Sequence, residues 1–118
     1  MLLFPRLRGV LAMPEVITLD SHDYWVKVVG MLQQNWALIT SRQNSEVCIH
    51  FIADSGSVFD ALVFPTEEYA IAALRRNGFS RYADDAQLQS FICPPEPPFH
   101  KGSHPNGPIY SSGQYWRK

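Results

Sequence analysis

Between Val47 and Phe79 the chain carries two strands, the loop joining them and both ends of a helix, and no other stretch limits the fold as tightly. Val47–Ala53 and Ser57–Phe64 are rich in β-branched and aromatic residues and flank Asp54-Ser55-Gly56, the pattern of a hairpin. A three-residue loop that ends in a left-handed residue suits Gly56, so Ala53 is expected opposite Ser57. Counting back from there, Phe51 faces Phe59, Ile49 faces Ala61 and Val47 faces Val63. Alternation then places one apolar set on a single face, which is predicted to be core. The same register sets His50 directly against Asp60 on the other face, beside Cys48, Ile52, Val58 and Leu62.

The period changes at Pro65-Thr66-Glu67-Glu68. Thr66 can cap the orphan amides of a helix start, and the two glutamates favour the positive end of its dipole. Ala70, Ile71 and Leu74 form the expected apolar stripe. Asn77-Gly78-Phe79 reads as a Schellman stop with Phe79 folding back on Leu74.

A second hairpin is expected upstream from Tyr24–Leu32 and Trp36–Ser41, joined by Gln33-Gln34-Asn35 with Asn35 in the left-handed region. Leu32 then faces Trp36, and Gly30 leaves room for the indole. Val16–Leu19 is read as a short strand, and Arg42–Ser45 as a polar turn linking the hairpins. Downstream, Ser80–Asp85 is a loop and Ala86–Ile92 is divided between a capped helical turn and an edge strand, with the turn preferred. From Pro94 onward regular structure is not expected, because Pro94-Pro95-Glu96-Pro97-Pro98 favours polyproline II and later glycines and prolines interrupt the rest. Yet Phe99, Ile109, Tyr110, Tyr115 and Trp116 are more apolar anchors than a solvating tail carries.

With 118 residues the chain suits one domain. The expected division is a flexible extension over 1–13, an α+β domain over 14–93, and a tail over 94–118 packed on the domain or on a second copy. The formal net charge of −1 argues against a general binder of nucleic acid or membrane surfaces. Residues 1–12 have a charged, proline-broken apolar run that is inadequate as a secretory signal, and no stretch approaches a membrane span. Cys48 and Cys93 lie in unlike contexts, so free thiols and a cytoplasmic setting are expected.

Four constellations could carry chemistry. A His50–Asp60 pair near Cys48 could raise the imidazole pKa and serve acid–base or thiol chemistry. The stronger reading is a satisfied polar contact, since no element to stabilise an electrophile is evident. Cys93, His100 and His104 are ligand types for zinc, with His22 or Asp23 as a remote fourth. The prolines between them hold no preorganised face, however, so no metal or other cofactor is expected. Arg75, Arg76 and Arg81 with Tyr82 make a small basic patch able to hold phosphate, although arginines in a last helical turn commonly just favour the dipole. Lys101, Arg117 and Lys118 add charge in the tail, where Tyr115 and Trp116 are candidate binding anchors. PxxP spacings at Pro94/Pro97 and Pro95/Pro98 could serve an aromatic groove.

The expected fold is therefore α+β: four to five antiparallel strands in a strongly bent sheet or partly closed barrel, one helix, and an extended tail. The strand count alone suits a small barrel of Sm-like or SH3-like type. The expected function is that of a non-enzymatic adaptor acting through an unidentified protein partner or self-association. A small-barrel nucleic-acid binder is the alternative, and an enzyme built on Cys48, His50 and Asp60 the third reading.

Overall fold

The computed structural model describes residues 15–29 and 33–102. The described strands are β1 (Val16–Ile17), β2 (Tyr24–Val29), β3 (Gln33–Ser41), β4 (Val47–Ala53), β5 (Ser57–Phe64), β6 (Ser80–Arg81) and β7 (Phe99–Lys101). They form one open sheet in the order β1-β7-β5-β4-β3-β2-β6, so the expected α+β class holds, with seven described strands where four to five were expected and without the expected barrel closure. The ten-residue helix α1 (Glu67–Arg76) follows β5, and a single-turn helix α2 (Ala86–Gln89) follows a 3₁₀ turn at Tyr82–Asp84. No described helix is long and apolar enough to cross a membrane.

The local signals in the helix region act as their chemistry predicts. Thr66 Oγ1 accepts the Tyr69 amide at 3.2 Å, which closes the α1 N-terminus. At the other end Phe79 N donates to Leu74 O at 2.9 Å and Gly78 N to Arg75 O at 3.1 Å, with Gly78 at φ +87°. Those two bonds are the Schellman pair, and the left-handed residue they require carries no Cβ penalty as glycine. Asp85 likewise caps α2, accepting the Leu88 amide at 3.0 Å, so the helical turn prevails over the edge strand.

The sheet's registers depart from expectation in two places. In the β4–β5 hairpin the loop is as predicted, with Gly56 at φ +92° and Ile52 opposite Val58. A β-bulge then intervenes: Phe59 is the extra residue, and Phe51 pairs with Asp60, His50 with Ala61, Ile49 with Leu62 and Val47 with Phe64. One inserted residue reverses the faces of everything beyond it. Leu62 and Phe64 therefore join the helix side, whereas Ala61 and Val63, expected in the core, are exposed. In the β2–β3 hairpin Trp36 pairs with Val26 rather than Leu32, and Asn35 is a buried strand residue with Ala53 as one neighbour. The connection is thus residues 30–32, which lie outside the described set together with the expected role of Gly30.

The turn between β3 and β4 makes β2–β5 a continuous meander. Asn44 and Ser45 both have positive φ, 59° and 69°, and Glu46 N donates to Gln43 O at 3.1 Å, a tight turn whose two left-handed central residues match strand twist. A serine there meets its own Cβ penalty. Ser45→Gly is accordingly expected to stabilise the protein by about 1 kcal/mol, read as a higher urea midpoint at unchanged slope.

Apolar residues on both faces of the strands are accounted for by cover on both sides of an open sheet. On one face Trp25, Ala37, Ile39, Val47, Ile49 and Phe51 pack with Ala70 and Leu74 of α1 and with Phe79. On the other, Val26, Trp36, Leu38, Ile52 and Val58 are covered by Ile92 and Phe99, with Ile17, Leu19, Tyr82 and Leu88 alongside. The proline segment is tied to this second face by Tyr24, whose hydroxyl donates to Pro95 O at 2.7 Å. Just beyond it, Phe99 opens a strand where none was expected, pairing antiparallel with β1 and parallel with β5.

Candidate functional site

The bulge at Phe59 marks a stretch of β5 that has one strand neighbour among the described residues. β7 lies beside β5 only at Ser57 and Val58, where His100 N donates to Gly56 O at 3.1 Å and Gly102 N to Val58 O at 3.0 Å. Past that point the bulge reverses which peptide groups face outward, and among the described residues the ladder with β7 ends there. Residues 60–64 of β5 then have β4 as their one neighbour among the described residues.

Alternation from the Val58 carbonyl through the bulge turns the peptide groups of Ala61 and Val63 outward. The Ala61 amide is taken by its neighbour's carboxylate, Asp60 Oδ1, at 2.8 Å, and Pro65, two residues beyond Val63, has no amide to offer. Among the described residues the edge therefore presents the Val63 N–H and C=O and the Ala61 C=O. Asp60 and Pro65 restrict it to a short pairing, a recognised protection of edge strands. Beside the edge lies a groove of about 380 Å³ lined by Ile17, Val58, Phe59 and Ala61, with His50, Asp60, Glu15 and Lys101 among its other residues. Val63, 51% exposed, stands nearby on the same strand.

His50 and Asp60 thus line one groove without being cross-strand partners, which corrects the expected pairing. The consequence for His50 is a change of sign. Burial first, and the Arg42 charge second, lower its pKa from the usual 6.5, where a facing carboxylate would have raised it. A neutral imidazole whose folded pKa lies below its unfolded value contributes stability that is complete above pH 6.5 and lost as pH falls through the folded value. His50→Gln should consequently flatten the pH dependence of unfolding free energy below that point, measured by urea denaturation of both proteins. Burial also pushes the Cys48 thiol up from 9.0, partly offset by Arg42, the opposite of an activated nucleophile.

Of the residues expected to bind together, the arginines share one face of the sheet and Tyr82 lies on the other. Arg75 and Arg81 stack on the two-ring system of Trp25, with guanidinium carbons 5.1 and 4.8 Å from the ring centroid. Arg81 also forms a fork on Asp23, with bonds of 3.0 and 3.4 Å. Arg76 is exposed in the same helical turn. Tyr82 belongs to the opposite face: its ring meets Trp36 edge-on at 5.4 Å, and its hydroxyl donates to Ile92 O at 2.7 Å. Lys27, missed in the sequence, lies against the helix stop, its Cε 3.3 Å from where a Gly78 side chain would begin. Strand alternation puts it on the face of Trp25. The Trp25 Nε1–H is buried without a hydrogen-bond partner among the described residues, which costs about 1–3 kcal/mol.

Among the described residues no three His, Cys, Asp or Glu side chains converge to hold a metal ion. Cys93 is an exposed free thiol, His100 lies on β7, and His104 falls outside the described residues, as do Tyr115, Trp116, Arg117 and Lys118. Comparison with protein-family models, with curated proteins and with solved structures finds no match.

Proposed function

We propose that the protein is a non-enzymatic binding domain that holds an extended segment of a partner protein along residues 60–64 of β5. The observation that carries this reading is the β5 edge among the described residues: it takes β7 through the Gly56 and Val58 carbonyls, and beyond them the Val63 N–H and C=O and the Ala61 C=O face away from β4 beside an apolar-lined groove. Main-chain bonds would supply affinity and the groove would select a side chain. The charged groups on the groove would discriminate among peptides.

A displayed library of random linear peptides, selected against the full chain, tests it. Bound peptides are expected to shift the amide resonances of Ala61–Phe64 and to slow exchange of the Val63 amide. Val63→Pro removes the outward donor without removing a bond to β4, so it should abolish binding with little change in the melting curve. Binding retained in Val63→Pro, or shifts confined to another face, would overturn the reading.

A nucleic-acid binder remains the alternative, favoured by the clustering of Lys27, Arg75 and Arg81. Against it, Trp25 and Trp36 are both fully buried and give bases no stacking surface. Titration with single-stranded RNA and DNA at two salt concentrations separates the two readings, because phosphate contacts weaken steeply with salt. The third reading, an enzyme using Cys48, His50 and Asp60, draws no support from a raised thiol pKa and a register that parts His50 from Asp60.

A further inference from the structure

The cations around Trp25 have a feature that helix and sheet packing does not explain. Arg75 stacks on the indole from an exposed position and has no carboxylate partner among the described residues. Arg81 stacks on the same ring but is engaged by Asp23. Lys27 lies over the exit of α1. Among the described residues, three cations therefore meet one carboxylate around a fully buried tryptophan whose N–H has no acceptor. An acceptor bearing negative charge complements this arrangement.

We propose that this cluster is an oxyanion site for a phosphate group, bound by the Arg75 guanidinium and the Trp25 indole N–H, with Lys27 and Arg81 supplying charge. A guanidinium presents a planar fork that matches two oxygens of a tetrahedral anion, and the indole adds a donor fixed in place by β2. The carbonyl end of α1 lies in the same place and disfavours an anion by itself. Lys27 over that end offsets its field, and the helix terminus alone would not make a site. Asp23 keeps Arg81 oriented on the ring, so the arginine free to turn toward a ligand is Arg75.

The shared chemistry is a phosphate with at least two free oxygens, whether a free phosphate or monoester or the backbone of a nucleic acid. The test is an NMR titration of the full chain labelled with ¹⁵N, with inorganic phosphate in one arm and a short oligothymidylate in the other, at matched ionic strength. The Trp25 indole N–H signal is expected to move downfield saturably, while that of Trp36, already donated to Gln34 Oε1 at 3.0 Å, stays in place. Arg75→Gln and Lys27→Gln should each weaken the response, Arg75→Gln by about tenfold as expected for a lost charge-assisted bond. Arg42→Gln, which removes the same charge outside the cluster, should not. Saturation by oligothymidylate at far lower phosphate-group concentration identifies a polymer backbone as the source. Saturation by inorganic phosphate alone identifies a free phosphate or monoester. A Trp25 signal unmoved by both probes, or wild-type titration curves from folded Arg75→Gln and Lys27→Gln, would overturn the assignment.

Discussion

Trp36→Ala is expected to lower the unfolding free energy by about 4 kcal/mol, the largest effect of a single substitution among those considered for this chain. The side chain is fully buried between Val26 on β2 and Ile52 on β4. Its ring meets Tyr24 edge-on at 5.8 Å and Tyr82 at 5.4 Å. Each of those tyrosines anchors irregular chain through its hydroxyl, Tyr24 to Pro95 and Tyr82 to Ile92. Removing the indole therefore opens a cavity and also takes away the surface on which residues 82–95 are folded. Urea denaturation should show the drop, and hydrogen exchange should show faster exchange across 82–95 before global unfolding. Trp36→Phe, which keeps most of the ring contact, should cost clearly less. A loss below about 1 kcal/mol for the alanine variant would mean that the segment is held by other contacts.

Leu74→Ala should cost about 3 kcal/mol through the opposite face. Leu74 is fully buried in the cluster that joins α1 to the sheet, and its carbonyl is the acceptor of the Schellman bond from Phe79. Phe79 in turn packs on Phe51 at 5.9 Å, so the truncated side chain leaves a void that neither backbone nor neighbouring ring can close without breaking the helix stop. The measurement is again the urea midpoint, with an unchanged slope. Stability equal to wild type would show that the helix face is misassigned. The two variants should be close to additive, because they open opposite sides of the sheet.

The charge distribution separates the two proposed sites. Phosphate binding at Trp25 draws on the helix face near the α1 exit. Peptide capture at β5 draws on the far edge, where Asp60, Glu15 and Lys101 line one groove. Val63→Pro and Arg75→Gln test them independently, since β4 and β3 lie between β5 and β2.

The helix bounds, its caps and the Gly56 loop were legible in the residues because each rests on contacts within five positions of the chain. Thr66 reaches Tyr69, Phe79 reaches Leu74 and Gly56 N reaches Ala53 O, and few competing arrangements satisfy such short-range bonds. The basic cluster was half legible: three arginines were named, while Lys27 and the buried Trp25 come from a strand that only folding brings beside the helix exit. The strand registers were decided by tertiary structure. Val47–Phe64 has apolar residues at both parities, so a one-residue slip still buries apolar area and alternation cannot choose between registers. Cover on both faces settled it: α1 takes Leu62 and Phe64, the chain around Ile92 and Phe99 takes Ile52 and Val58, and Phe59 becomes the bulge that reconciles them. The outward-facing peptide groups of Ala61 and Val63 and the departure of His50 from Asp60 both descend from that one inserted residue, which no local contact specifies.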